Sequence, residues 1–415
     1  MARIVMKFGG TSVANLDRIR RVSELVEDEV KAGNEVAVVV SAMSGETNKL
    51  VGYVDELDAD SNLGDAIDDE YDAIVASGEQ VTSGLLAIAL RRRGLKARSW
   101  LGWQIPLKTN MTHSAARIED IETLAMDPSL KSGTVGVVAG FQGISEDGRI
   151  STLGRGGSDT SAVALAVALE ADRCDIYTDV DGIYTTDPRI ADDAKRLKKI
   201  SFEEMLELAS LGAKVLQTRS VELAMNNNLP IRVLTSFAEA GQDNPGTIVC
   251  NEEETMEERV VSGVAYSRDE AQISLLRLDD RPGTVAAVCR VMAEANVSVD
   301  MIVQGRSRAE NSANLTYTVG KRDLEKAIKA LEGAKEEIGF EAVKSDSKVT
   351  KVSVVGIGMR SHTGVAQTMF EALAARGINV EVIATSEIKI SVLIDAEYTE
   401  LAVRALHSAF ELENA

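Results

Sequence analysis

Two glycine-rich segments carry residue types suited to anions. KFGGTS (7–12) follows a strand pattern and precedes a helical one. Gly9 and Gly10 let backbone N–H groups approach phosphate oxygens with no Cβ in the way, Thr11 and Ser12 add hydroxyl donors near a helix N-terminus, and Lys7 places a positive charge at the strand end. The GxxxxGK[ST] spacing is missing, which excludes a Walker-type loop. The second segment, TLGRGGSDTSA (152–162), sets Arg155 between glycines ahead of a helix expected from about Ser158. Arg155 offers a planar fork for a carboxylate, and Gly156 and Gly157 permit a backbone nest. Asp159 either caps that helix or orients lysines. A tight strand-to-helix turn alone would produce the first pattern; two such loops in one domain favour an anion site.

Three further segments gain meaning together: SAMSGETN (41–48) after a strand, SGEQ (77–80) opening a helix, and TDVDGIYTTDPR (178–189) after another strand. The last is acidic yet ends in Arg189, a mixture that could bracket a nucleotide and its metal ion or simply form a long hydrophilic loop. GAKVLQTRS (212–220) adds Lys214. VVGIGMRS (354–361) imitates a dinucleotide fingerprint, but Ser361 takes the third glycine place and the equivalent LLRLDDRP has no glycine, so a Rossmann site is excluded. His113, His362 and His407 show no ligand spacing, and no G-x-S-x-G elbow points to a hydrolase.

The elements holding these segments follow from pattern and composition. With 415 residues and 45% hydrophobic content the chain should form two or three domains. From residue 2 to about 250, short β-branched runs alternate with helical ones: ARIVMKF, Leu16–Lys31, EVAVVVS, Ser158–Glu170, CDIYT. Val36–Val40 and Thr134–Ala139 are continuously apolar, as in a mostly parallel sheet covered on both faces. The acidic stretch Asp55–Asp72 reads as an exposed, partly helical excursion without a catalytic role. A formal charge of −20 argues against nucleic acid and anionic membranes. Cys174, Cys250 and Cys289 lie far apart, giving neither a disulfide framework nor a zinc cluster. No signal peptide and no membrane-length apolar run is expected, so a cytoplasmic location follows.

NEEETMEER (251–259) reads as a linker. Beyond it PGTVAAVCRVMAEANVSVDMI (282–302) aligns without gaps on TGVAQTMFEALAARGINVEVI (363–383), matching Gly283 to Gly364 and Ile302 to Ile383. Each unit continues with a strand (Ala313–Val319; Ile388–Ile394) and a helix (Asp323–Ile338; Tyr398–Phe410). The first has a closing strand near Glu341–Lys344, the second has none, and VVSGVAY (260–266) is an orphan before the first. The orphan should complete the second unit's sheet, interleaving the modules.

Taken in order, KFGGTS, VVSAMSGETN, SGEQ, TLGRGGSDTSA, TDVDGIYTTDPR and GAKVLQTRS resemble the aspartokinase (aspartate kinase) branch of the amino-acid kinase family, and the tail resembles that branch's pair of ACT regulatory domains. The resemblance runs from Lys7 to about Phe410. It implies an α/β amino-acid kinase fold over 1–250, a mostly parallel central sheet sandwiched by helices. After the linker 251–259 come two interleaved ferredoxin-like βαββαβ ACT domains, one over 267–345 and one from 260–266 plus 346–415. The implied activity is ATP-dependent phosphorylation of the side-chain carboxylate of L-aspartate to 4-phospho-L-aspartate, the first step toward lysine, threonine and methionine.

By the same resemblance Lys7, Phe8, Gly9, Gly10, Ser41 and Ser158 contact ATP. Thr178, Asp179, Tyr184, Asp187 and Arg189 line its pocket, and Lys214 reaches the phosphates from the other side. Thr47, Glu79, Arg155, Gly156, Gly157 and Ser158 hold aspartate, with Glu79 near its ammonium and Arg155 on its α-carboxylate. Lys7, Glu79, Asp159 and Lys214 form the catalytic group, and Mg²⁺ arrives on ATP with no metal site of the chain's own. Effector contacts map to Asp280, Gly283, Thr284, Val285 and Gln304, and to Val365, Ala366, Asn379, Val380 and Ser386. Lysine, threonine or both would act there, in a homo-oligomer built through ACT domains, and Met256 could start a separate tail-only subunit. The rivals are a sister kinase acting on glutamate or acetylglutamate, and a catalytically dead sensor using only its ACT pair.

Overall fold

The computed structural model describes residues 1–58, 67–211, 215–239, 242, 244–254, 259–307 and 312–414. They form two compact units. The first is Met1–Ile183, Arg196–Ala209 and Lys214–Met256; the second is Tyr184–Lys195, Ser210–Ala213 and Glu257–Ala415.

The first unit is built on an eight-stranded sheet. Across it run Lys199–Ser201, Thr247–Cys250, Ile231–Thr235, Arg173–Thr178, Arg3–Phe8, Glu35–Val40, Val135–Ala139 and Ala97–Trp100. Every neighbouring pair is parallel except Ile231–Thr235 with Thr247–Cys250. The central strands are buried almost throughout because helices cover both faces. On one face Leu16–Lys31 buries Ile19, Val22, Ser23 and Val26, a stripe at helical spacing, and its N-cap Asn15 accepts the Arg18 N–H. Leu86 and Leu90 from Ser77–Arg92 join the same core. The helix Gly157–Ala168 is so deeply packed that ten of its residues are buried. A smaller sheet, ordered Ile118–Ile121, Leu107–Thr109, Gln142–Ile144, Ile150–Thr152, had no counterpart in the sequence reading.

The acidic stretch requires a correction. Residues 59–66 lie outside the described residues, but Asp72 in the helix Asp68–Val75 is wholly buried. It accepts hydrogen bonds from the Ser114 and Thr152 N–H groups and the Thr152 hydroxyl, and it pairs with His113 Nδ1 at 2.9 Å. Four donors on one carboxylate offset the loss of its hydration and anchor the Ser114 loop to the strand Ile150–Thr152. The continuous helical stretch Asp68–Arg92 is also long and apolar enough to cross a membrane by length and composition, contrary to expectation, but half of that window is buried in the unit. Leu86 and Leu90 account for its apolar face.

In the second unit six strands follow the order Asp300–Ser307, Ser312–Val319, Gly263–Asp279, Ala342–Val355, Lys389–Asp395, Val382–Thr385. The two central strands, of 17 and 14 residues, are each shared by both repeats. Gly263–Ser267 pairs antiparallel with Val355–Lys351, and Gln272–Leu276 with Asp346–Ala342, with register shifts between these stretches. The orphan VVSGVAY therefore lies in the second repeat's half of the sheet, where Val261 and Val264 pack with Val352, Met369 and Leu406. The pieces read as separate strands are continuous. The two repeat helices, Thr284–Glu294 and Val365–Ala374, start from Gly283 and Gly364 at φ +98° and +99°. Those left-handed values explain glycine at both aligned positions.

Candidate active site

The carboxyl ends of neighbouring parallel strands bring the anion-handling segments together, where ligands of open α/β sheets bind. Lys7 and Phe8 end the first strand, Ser41 follows Glu35–Val40, and Gly140 follows Val135–Ala139. Lys7 is almost fully buried, and its Nζ forms an ion pair with Asp159 Oδ1 at 2.6 Å. Of the two roles open to Asp159, holding a lysine is therefore observed. A carboxylate in the first turn of a helix also lies in the favourable end of its dipole.

The glycines mark close approaches. A Cβ on Gly9 would sit 3.3 Å from Lys7 Nζ, and one on Gly10 3.1 Å from the Ala42 carbonyl. Ala42 in turn donates its N–H to Glu79 Oε1 at 3.0 Å, and Gly78 abuts Ala42 so tightly that a Cβ would come within 2.7 Å of its methyl. Glu79 is 3% exposed, and burial pushes its carboxyl up to about 7 despite the Ala42 N–H bond, which opposes the shift. Its Oε2 is buried with no hydrogen-bond partner among the described residues. Asp159, Lys7, the Gly9–Gly10 loop, Ala42 and Glu79 thus form one contiguous wall.

The second glycine loop is fixed by its neighbours. Gly156 has φ +74°, and its Cα faces the Gln217 side chain, which would lie 1.9 Å from a Cβ. Gly157 packs on Leu153 and Phe141, so its lack of a side chain serves packing. Arg219, from GAKVLQTRS, donates to the Leu153 carbonyl at 3.0 Å. Arg155 is exposed, with no carboxylate partner among the described residues. Ser158 is buried 3.1 Å from where a Gly140 Cβ would be, and Thr47 is half-buried in the first turn of Glu46–Asp58. Gly140 escaped the sequence reading, although a glycine ending the apolar run VGVVA was a visible signal.

Two expectations change. Phe8 is wholly buried and stacks on Tyr177 at 4.6 Å, and its carbonyl accepts the Ser41 N–H, so its side chain belongs to the core rather than to a ligand. Ser12 is also wholly buried, three residues short of the N-cap Asn15, and its Oγ accepts the Ser236 hydroxyl at 2.8 Å, so burial keeps its own hydroxyl from a ligand.

Thr178 ends the strand Arg173–Thr178 and Asp179 follows it, beside Gly9, whose N–H reaches the Tyr177 carbonyl at 3.4 Å. Tyr184, Asp187 and Arg189 belong to the second unit. There Arg189 Nη2 meets Asp187 Oδ2 at 2.8 Å, and Tyr266 donates its hydroxyl to the same oxygen at 3.1 Å. The hydrogen bond from Arg189 holds the Asp187 carboxyl below its ordinary value. Lys214, and with it the expected meeting of two lysines, lies outside the described residues, as does Met256.

Among the effector positions, Asp280 pairs with Arg306 Nη2 at 2.5 Å, and Thr284 donates to the Asp279 carbonyl at 3.0 Å. Val285 packs beside the first repeat's core, and Gln304 is exposed on the edge strand. In the second repeat Val365 is buried and Val380 half-buried, while Ala366, Asn379 and Ser386 are exposed.

This arrangement, a lysine held by an acid over a glycine loop beside a buried carboxylate, is equipped to bind a phosphorylated ligand and a cation-bearing substrate together. Residues 2–235 match the model of the amino acid kinase family, and 272–336 and 352–410 match ACT domain models. The chain belongs to the amino acid kinase family, and within it to the aspartate kinases. It is 51% identical over 414 residues to the aspartate kinase of Pseudomonas putida, covering 100% of this chain and 98% of that protein. With the aspartokinase of Mycolicibacterium smegmatis it shares 46% over 416 residues, covering 99% and 97%. Among solved structures it resembles E. coli aspartokinase III in complex with aspartate and ADP, at TM-score 0.79 and 29% identity over 98% of this chain and 99% of that one. The same enzyme with lysine and aspartate gives 0.76 at 29%, with the same coverage.

Proposed function

We propose that the chain transfers the γ-phosphoryl group of ATP to the side-chain carboxylate of L-aspartate, giving 4-phospho-L-aspartate for lysine, threonine and methionine synthesis. The observation that carries this reading is the buried Lys7–Asp159 pair on the Gly9–Gly10 loop. Lys7, with donors to spare beyond Asp159, meets the transferring phosphoryl oxygens, and Gly9, Gly10, Ser41 and Ser158 border the phosphates. Thr178 and Asp179 serve the nucleotide. Magnesium, bound through the ATP phosphates, would neutralise further charge. Glu79 receives the substrate ammonium on Oε2, and Arg155 its α-carboxylate, with Thr47 alongside. The nucleophile needs no general base, since a free aspartate side chain titrates near ~3.9. Catalysis then consists of positioning and charge neutralisation.

Residues 1–250 form the catalytic domain on this reading, and the tail senses an amino acid, lysine or threonine, at the ten mapped positions. Exposed Ile302, Val303 and Ile383 on the two edge strands favour assembly of copies through the tail. The cytoplasm suits this chemistry. A hydroxamate assay with ATP and aspartate, glutamate or acetylglutamate, repeated with lysine and threonine, tests the proposal. Product from aspartate alone, suppressed by an effector, is expected; turnover of another acid instead, or none, overturns it.

A further inference from the structure

We propose that Asp193, His407 and Glu413 form a binding site for one divalent transition-metal ion of zinc-like character. The three lie far apart in sequence but offer ligand atoms all within 4.8 Å of one another. His407, in the last turn of Thr399–Ala409, is fully buried. Its Nε2 lies 2.9 Å from Thr185 Oγ1, an oxygen that also accepts the Lys195 N–H at 3.0 Å. Its Nδ1 makes no hydrogen bond among the described residues, and Asp193 Oδ1 stands 3.5 Å away. Glu413, in the short turn Leu412–Asn414, holds a buried Oε2 that also has no hydrogen-bond partner among the described residues.

A buried imidazole nitrogen and a buried carboxylate oxygen, neither hydrogen-bonded among the described residues and within 4.8 Å of each other, are costly unless something joins them. Zinc bonds nitrogen and carboxylate oxygen at about 2.0–2.2 Å, setting donors roughly 3–4 Å apart, so a small inward movement closes the set. One neutral imidazole and two carboxylates balance a divalent charge. The mixed donors favour zinc-like ions over magnesium or calcium, which take oxygen ligands. With its Nε2–H donated to Thr185, the ring presents the Nδ1 lone pair to the ion, the usual arrangement for a metal-bound histidine. Half-exposed Asp193 leaves a way in for the ion and room for a water as fourth ligand. Asp193 sits on the segment Tyr184–Lys195 and the other two ligands at the end of the chain, so the ion would clasp that segment to the C-terminal helix.

The test uses the full chain, treated with chelator and freed of nucleotide, titrated with Zn²⁺ by calorimetry with metal counted by mass spectrometry. One saturable site per chain is expected. Asp193→Asn and Glu413→Gln, both near the surface, should each weaken binding at least tenfold and together abolish it, while the metal-free variants melt like the parent. With only three histidines in the chain, the ¹⁵N resonance of His407 Nδ1 should shift on addition of Zn²⁺. Zinc binding unchanged in the double variant, no saturable binding by the parent, or an unmoved His407 resonance would overturn the assignment.

Discussion

Two buried lysines make opposite use of the same chemistry. Lys7 meets a single carboxylate, Asp159, beside a glycine loop that leaves space around its amine. Lys351 is gripped by two, Glu270 Oε1 at 2.9 Å and Asp300 Oδ2 at 2.8 Å. Burial alone would lower the Lys351 pKa, yet the two carboxylates raise it above the ordinary value. Glu270 and Lys351 lie on the two long shared strands and Asp300 opens an edge strand, so this lysine fastens three strands. A charge already doubly matched is a fastener; a charge matched once keeps donors for a ligand.

That contrast predicts effects of different kinds. The largest is on turnover: Lys7→Ala should lower kcat about a hundred- to a thousandfold with circular dichroism unchanged, as for loss of a group acting on transition-state charge. Near-parental turnover would dissolve the distinction. Lys351→Met should instead cost roughly 3–5 kcal/mol of stability in urea unfolding, because the buried Glu270 carboxylate loses its partner, while turnover of the folded protein stays near the parent's. A destabilised Lys7→Ala and an unaffected Lys351→Met would reverse the roles.

Glu79 sharpens the picture through pH. Its folded-state pKa of about 7 lies above the ordinary 4.5. Between those values the unfolded chain has lost the proton and the folded one keeps it, so stability falls as pH rises from 4.5 to about 7, by on the order of 3 kcal/mol. Glu79→Gln should therefore gain stability over the parent above pH 7 and lose that advantage below pH 4.5. An arriving ammonium favours the carboxylate, so aspartate binding near pH 6.5 should release a proton, read by calorimetry in buffers of different ionisation enthalpy. Glu79→Gln should abolish that release and raise KM for aspartate about 10- to 100-fold. Arg155→Lys should raise the same KM by about tenfold, since a point charge cannot replace the fork. The smallest effects belong to the repeat glycines. At Gly283 and Gly364 nothing lies within 4 Å of an added Cβ, so alanine costs only backbone strain, about 1–2 kcal/mol at each, and equal losses in urea unfolding would show the two turns equivalent.

Much of this was legible beforehand because local patterns governed it. The helix Leu16–Lys31 and the apolar central strands announce themselves by spacing, and Gly283 and Gly364 by alignment. The Lys7–Asp159 contact could be suspected only as one of two roles for the acid, because the pair is made by strands and a helix 152 residues apart. Asp72 misled because its acidic neighbours resemble a solvated run, while its partners Ser114 and Thr152 are distant in sequence. His407 and Asp193 are neighbours in space although 214 residues apart, which no sequence spacing displays. Phe8 was drawn into a motif by its neighbours, although alternation along a strand turns its ring to the opposite face from Lys7.

The long strands Gly263–Asp279 and Ala342–Val355 have a consequence for dissection and inheritance. Cutting the gene between the repeats, near residue 345, would sever Ala342–Val355 and leave Gly263–Ser267 without its hydrogen-bonding row, exposing a raw edge inviting aggregation. The pair is therefore a single heritable cassette: neither half can be transplanted, lost or duplicated without the other.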